Sequence, residues 1–485
     1  MNADNRVPLI ERIDSTLDAV EVFRSLAHLP HVVFFDSAMR HPQLGRYSFV
    51  AADPVEWLTV AADGSDALGR LELWIGDCGL RIDVRNPQSE IRNPKSDLPP
   101  FQGGWAGMFG YELACSLEAV PAAGIDEFQL PALAIGLYDV VVAFDHERQA
   151  AWLISQGFPE TDAQARRERA ADRLAQFGEL LKADRSPIAN NKAPRSSPLP
   201  AAALAPQFSF AGWMELTSNF SAEAYRKAVR RAIDYIYAGD VFQVNLSQRV
   251  LHPVRMASVD LYCRLRERNP APFAGYLDGG DWQIASASPE RFIQVADGHV
   301  ETRPIKGTRG RSLRPEADLF AGDELRASEK DRAENVMIVD LMRNDLSRTC
   351  RPESVLVSQL CGLETYEYVQ HLVSVVEGKL RDGCTPIDLL RTSFPGGSVT
   401  GAPKIRAMEI IAELEPTVRG AYCGCLGYIG LDGRMDTSIL IRTVTAAQGW
   451  WQLPVGGGIV AQSNPADEYE ETWHKATGML RALAP

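Results

Sequence analysis

Hydrophobic and polar positions along this chain change character on either side of a proline-rich stretch. Before it, apolar runs are short and β-like: VVFFD at 32–36, RYSFVAA at 46–52 and VEWLTV at 55–60. IGLYDVVVAFD at 135–145 reads as one longer strand, and a charged helical stretch runs from about Thr161 to Lys182. After it, Ala224, Ala228, Val229, Ala232, Ile233, Ile236 and Tyr237 recur at helical spacing, and Gly239-Asp240 stops that helix. Residues 242–249 alternate as a strand does. Segments 273–278, 282–287, 291–296, 355–360, 368–380, 422–431, 435–446 and 450–460 are also strand-like, whereas 328–346, 402–414 and 466–482 are helix-like. Long strands with interposed helices predict an α/β sandwich rather than regularly alternating βαβ units. No internal repeat is present.

Two stretches read as loops. Residues 85–100 (RNPQSEIRNPKSDLPP) hold a near-duplication of turn formers, and residues 183–207 are rich in proline, alanine and serine. The second predicts a linker between an N-terminal region, 1–182, and a larger domain, 208–485. Composition adds exclusions. With 45% hydrophobic and 23% charged residues the chain is ordinary globular protein. No apolar run reaches the roughly 18–20 residues that span a bilayer, and MNADNRVPLIERID lacks the form of a secretory signal. A cytoplasmic location is expected. Eight scattered cysteines do not make a disulfide framework. A net charge of −13 without a basic run argues against nucleic-acid binding. An anionic substrate would need a cation or a local basic pocket.

Candidate chemistry lies beyond the proline-rich stretch. Lys306, in Pro304-Ile305-Lys306-Gly307-Thr308-Arg309, follows Glu290 by 16 residues, so that an amine and a carboxyl group can converge on one substrate. Glu334 lies in the charged helix DRAENVMIVDLMRNDL, which alone reads as a solvated face. Glu468, Glu471 and Lys475 share one helical face. Alone this pattern is commoner as a surface ion pair, but two glutamates so placed can hold a hard cation such as Mg²⁺. Phe394 to Lys404 is glycine-rich and opens a helix, and Gly456-Gly457-Gly458 follows a strand. The first misses the phosphate-loop pattern, because Ala402-Pro403 precede the lysine and no Lys-Ser/Thr pair follows. Gly424, Gly427 and Gly430 lie in a strand-like run and fail as a dinucleotide fingerprint.

Taken together these motifs resemble the chorismate-binding enzymes. GDVFQVNLSQR (239–249), NPAPFAGYL (269–277), ASPERF (287–292), PIKGT (304–308), AENVMIVDLMRNDL (333–346) and HLVSVVEG (371–378) carry the likeness. FPGGSVTGAPK (394–404), DTSILIRT (436–443), GGGIV (456–460) and EYEETWHKA (468–476) complete it. The resemblance is strong over about 210–485 and weaker at FFDSA (34–38), RYSF (46–49) and PFQGGWAGMFGYEL (100–113). PIKGT is similar to the signature of the aminodeoxychorismate synthase component I branch; anthranilate synthase component I carries alanine at the position of Lys306. Gly396-Gly397-Ser398 also resembles the former branch. Gln243 stands where isochorismate and salicylate synthases carry a lysine that activates water.

The resemblance implies an anthranilate-synthase-like sandwich of large, mostly antiparallel sheets with helices outside. It implies amination of chorismate to 4-amino-4-deoxychorismate for 4-aminobenzoate and folate synthesis. Glu290 would be the acid that protonates the departing C4 hydroxyl, and Lys306 the nucleophile at C2. Mg²⁺ would be held by Glu334 and Glu471 with Glu468. Arg442, Tyr422 and the backbone of Gly456, Gly457 and Gly458 would hold the enolpyruvyl carboxylate, with His371, Ser398 and Lys475 lining the pocket. Ammonia would come from a separate glutamine amidotransferase subunit, since no glutaminase motif is found in the chain. Ser37 with Pro272, Phe273 and Ala274 matches a region where relatives hold tryptophan, although Asp36 replaces the glutamate usual in feedback-inhibited relatives. Anthranilate synthesis, or a non-catalytic tryptophan-binding role, is the alternative.

Overall fold

In the computed structural model, residues 7–14, 17–40, 44–78, 98–182, 198–210, 213–311, 314–366 and 369–483 are described. Most of the first predicted loop (85–97) and of the predicted linker (183–197) lies outside them.

Among the described residues two sheets, of 13 and 10 strands, form the middle of the molecule. Apolar side chains from both meet between them, among them Val33, Phe49, Val141 and Leu277 from the larger sheet and Ala106, Met108, Ala134 and Leu426 from the smaller. Strands buried on both faces are nearly continuous apolar runs, as in Val140–Asp145, where every residue is buried. On its outer face the larger sheet is covered by the helices Ala19–Leu26, Ala163–Lys182, Ser258–Arg268 and Pro465–Leu483. The helices Ala67–Asp77, Glu329–Ser347 and Pro386–Ser393 cover the smaller one. The expected sandwich with helices outside is therefore the observed architecture.

Both sheets combine strands from either side of residues 183–207. Val33–Asp36 pairs antiparallel with Phe273–Asp278 in one, and Gly104–Phe109 pairs antiparallel with Cys425–Gly430 in the other. Two predicted strands are each broken in two. The run 135–145 is Leu133–Tyr138 in the smaller sheet and Val140–Asp145 in the larger, with Asp139 between them. Asp139 is buried and takes a hydrogen bond of 3.1 Å from Arg173 on a covering helix. Likewise 435–446 is Met435–Ile439 in the smaller sheet and Thr443–Ala447 in the larger. A hydrophobic pattern does not reveal such breaks, because strand-like residues continue on both sides of each passage from sheet to sheet. Gly456 to Gly458 do not follow a strand but belong to Trp450–Ile459, because they keep pairing with Asn245 to Ser247 on Gln243–Pro253.

Candidate active site

Two of the sheet-to-sheet crossings build the centre of the site. Pro289-Glu290 links Trp282–Ser288 in the larger sheet to Arg291–Ala296 in the smaller, and Leu440 to Arg442 make the reverse passage. The crossings are laced together. Ile439 N donates to Glu290 O (3.1 Å), Ala287 N donates to Arg442 O (3.1 Å), and Ser288 Oγ donates to Ile439 O (2.6 Å). Arg442 has φ of 53°. A non-glycine residue in the left-handed region costs on the order of 1–3 kcal/mol and points to a functional constraint.

Beside the crossings lies a cavity of ≈ 590 Å³. Glu290, Lys306, Glu334, His371, Ser398, Tyr422, Arg442, Gly456, Gly458, Glu471 and Lys475 line it, far apart in sequence but brought together by the fold. Glu468 and Gly457 stand just behind that lining. A Cβ on Gly457 would lie 3.3 Å from Glu468 Oε2, 3.4 Å from Lys475 Nζ and 3.5 Å from Glu471 Oε1, so a side chain there would intrude on all three.

Lys306 lies on the strand Ile305–Gly310, paired with Val369–Lys379. The register shifts at Gly307, placing Lys306 opposite Leu372 and Thr308 opposite His371. Lys306 Nζ donates to Ser398 O (3.2 Å), while Ser398 Oγ donates to Glu290 Oε1 (2.7 Å). Burial pushes the Glu290 carboxyl up to about 7, against the opposing pull of Ser398 and Lys306. Burial also lowers the Lys306 amine, although the carboxylates of Glu334 and Glu290 oppose that shift. Both changes favour neutral groups. His371, pushed down to about 4 by burial and the charge of Arg442, has its Nδ1 2.9 Å from Thr308 Oγ1.

Glu468 Oε1 accepts from Ser463 Oγ (2.6 Å) and lies 3.4 Å from Lys330 Nζ, and Lys475 Nζ pairs with Glu471 Oε1 at 2.6 Å. Burial raises the Glu334 carboxyl despite Lys306 and Lys330, with Asp331 and Glu468 adding to the rise. Among the described residues no three His, Cys, Asp or Glu groups are close enough to form a metal cluster unaided. The donors nevertheless fit a hard cation: they are all carboxylates, and ammonium groups already sit against Glu468 and Glu471. Mg²⁺ keeps several waters in such sites, so the carboxylates can share it partly through water.

Several lining residues escaped the sequence reading, namely Asn245, Thr308, Arg309, Lys330 and His474. Asn245 and Gln243 alternate on one strand, and Lys330 precedes Glu334 by one helical turn, so a periodic signal existed for both. No such signal marked Arg419. Its guanidinium, buried behind the cavity, donates to Val399 O (3.0 Å) and Asn245 O (2.8 Å) and pairs with Glu415 at 2.7 Å.

Ser37, Pro272, Phe273 and Ala274 fall elsewhere, around a second cavity of ≈ 130 Å³ that Arg291, Tyr428 and Asp436 also line. That is below the roughly 300–1,000 Å³ common for ligand pockets. Ser37 Oγ donates to Tyr47 O (2.5 Å), and Asp36 pairs with Arg266 at 2.7 Å.

Comparison with known proteins follows the same lines. The family described as chorismate binding enzyme matches residues 56–481. The chain is 40% identical over 469 residues to aminodeoxychorismate synthase component 1 of Salmonella typhimurium, covering 96% of each chain. It is 42% identical over 414 residues to anthranilate synthase component 1 of Thermus thermophilus, covering 84% of each. The crystal structure of anthranilate synthase component I from Streptococcus pneumoniae superposes with a TM-score of 0.72 at 31% identity, over 91% of this chain and 93% of that one.

Proposed function

The chain belongs to the chorismate-binding enzymes of the aminodeoxychorismate and anthranilate synthase type, and from that premise we propose that it is an aminodeoxychorismate synthase component I. The observation that carries this reading is the seat of Lys306, whose Nζ lies at the cavity 3.2 Å from the carbonyl of Ser398, the residue whose hydroxyl holds Glu290. Anthranilate synthases reach 42% identity with this chain, and for that reason anthranilate formation is the second reading. It gives no role to a part-buried amine of lowered basicity at position 306.

In the proposed reaction Glu290, kept protonated by burial, gives its proton to the C4 hydroxyl of chorismate, which leaves as water. Lys306 Nζ, in its uncharged form, forms a bond to C2 as the two ring double bonds shift and the C4–O bond breaks. The carboxylate left on Glu290 takes the proton that the newly bonded nitrogen sheds. Ammonia then adds at C4 as the double bonds shift back and the C2–N bond breaks. Glu290 returns its proton to the lysine nitrogen, which leaves as a neutral amine, and Glu290 is reprotonated by the proton that the new C4 ammonium loses. The amino group thus ends para to the ring carboxylate. Lysines buried in this way are effective nucleophiles because desolvation removes the proton that would block the lone pair. Arg442, with Tyr422 and the backbone at Gly456 to Gly458, would hold the enolpyruvyl carboxylate. Glu334, Glu468 and Glu471 would hold Mg²⁺, which would supply positive charge for the ring carboxylate in an otherwise acidic site. Ammonia would come from a glutamine amidotransferase subunit. For the second cavity tryptophan binding and a plain packing role are the two readings; its small volume favours packing, and equilibrium dialysis with tryptophan decides between them.

The deciding experiment is a product assay with chorismate, Mg²⁺ and ammonium at alkaline pH. A product that keeps the enolpyruvyl group, and yields 4-aminobenzoate when a lyase is added, supports the proposal. Anthranilate and pyruvate would establish the second reading.

A further inference from the structure

Lys330 stands in the first turn of the helix Glu329–Ser347, one turn before Glu334. Its ammonium lies 3.4 Å from Glu468 Oε1, on a helix 138 residues further along the chain. The two partners differ sharply in environment. The side chain of Glu468 is 4% exposed and that of Lys330 is 47% exposed, at the rim of the ≈ 590 Å³ cavity. The other cavity lysines are more firmly held. Lys475 Nζ is fixed by Gly456 O at 2.8 Å and Glu471 Oε1 at 2.6 Å, and Lys306 by Ser398 O. Lys330 is thus a cation on a long stem that reaches in from water to a buried carboxylate.

We propose that Lys330 competes with the divalent cation for this carboxylate, so that it must withdraw before Glu334, Glu468 and Glu471 can close on magnesium. The inference rests on the metal assignment made above. In the metal-free protein a buried Glu468 without a counter-charge would be strongly unfavourable, and Lys330 supplies that charge. Once a dication arrives, the two positive charges repel each other in partly buried surroundings, where Coulomb forces are weakly screened. A half-exposed ion pair is a weak hold, so Lys330 yields to the metal and lowers its affinity without abolishing it.

Calorimetric titration of MgCl₂ into the purified full-length chain, without chorismate, tests the competition. Lys330→Met keeps the stem and removes the charge, Lys330→Gln removes it with a different neutral group, and Lys330→Arg keeps it. The neutral variants are expected to bind Mg²⁺ roughly three- to tenfold more tightly than the original chain, with the arginine variant close to it. Equal or weaker binding by both neutral variants would overturn the role of Lys330 while leaving the metal site standing. If neither the original chain nor the neutral variants bind Mg²⁺, the metal assignment falls, and the competition with it.

Discussion

Ser398 holds Glu290 through a hydrogen bond of 2.7 Å from its Oγ to Oε1. The carbonyl of the same residue accepts Lys306 Nζ at 3.2 Å. The carboxyl of Glu290 and the amine of Lys306 are thereby set against one another by a single residue of the glycine-rich loop. In a tight ion pair both groups would be charged, whereas the proposed chemistry needs both neutral. Burial pushes them that way, raising Glu290 and lowering Lys306.

Replacing the amine is the most direct test of this arrangement. Lys306→Ala is expected to reduce 4-amino-4-deoxychorismate formation by on the order of a hundredfold or more. Intact-mass measurement of the original chain, mixed with chorismate and Mg²⁺ but no ammonium, should reveal an adduct that Lys306→Ala lacks. An unmodified chain, together with undiminished para product from the variant, would rule out covalent catalysis.

Glu290 should link activity and stability to pH in the same direction. Its folded-state pKa, about 7, lies above the ordinary value of 4.5. The folded chain therefore holds a proton that the unfolded chain has lost, and stability declines as pH rises from about 4.5 to about 7. Glu290→Gln removes this penalty. It should be more stable than the original chain at pH 8 by on the order of 1–3 kcal/mol, with little difference at pH 4, as read by urea unfolding. Its kcat should fall roughly 10²–10⁴-fold. In the original chain kcat should decline above about pH 7 as the acid ionises, and at lower pH as Lys306 takes up a proton.

Gly307 permits the register shift that separates Lys306 from Thr308. Its φ is +75°, and a Cβ there would lie 2.7 Å from Leu325 Cδ1 and 3.0 Å from Asp331 Cγ. Gly307→Ala is expected to cost about 1–2 kcal/mol from the left-handed backbone alone, and more from the contact. Thermal unfolding measures the loss, and the product assay should show activity falling further than stability.

Thr308→Val retains the shape of the side chain but removes the hydroxyl 2.9 Å from His371 Nδ1. Loss of a bond worth about 1 kcal/mol predicts a several-fold fall in kcat/KM. Thr308→Ser should restore it, and failure of serine to do so would mean that the methyl group matters, not the bond.

Arg419→Met should destabilise the chain by about 3–5 kcal/mol, since Glu415 would be left buried without its partner. Adding Glu415→Gln should recover part of that loss in urea unfolding. The carbonyls of Asn245 and Val399 would remain without their donor, so activity should recover less than stability.

Much of this protein is legible in its sequence because the relevant signals are local. The helix ended by Gly239, the alternating strand from Gln243, and the shared face of Glu468, Glu471 and Lys475 all express a backbone period within one element. The motifs around Glu290, Lys306 and Glu334 likewise single out residues that line the cavity. The break at Asp139 is not legible in this way, since both neighbouring strands are apolar, and the break at Leu440 to Arg442 is not, since strand-like residues continue on both sides of it. Arg419 is illegible for a related reason, since it acts through backbone carbonyls, which leaves no periodic trace. Lys330 shares a helical face with Glu334, but its contact with Glu468 on a remote helix leaves no mark in the sequence.

By itself, then, the sequence determined the types of element and the sandwich architecture, and it singled out the candidate side chains, because these follow from short-range periodicity and from residue chemistry. Only the tertiary structure decided that strands from both ends of the chain share each sheet, that two crossings bring Glu290 beside Arg442, and that Ser398 stands between acid and amine. Burial is a property of the assembled molecule. The displaced ionisation of Glu290 and Lys306, on which the proposed chemistry depends, could not be seen before the sheets had closed around them.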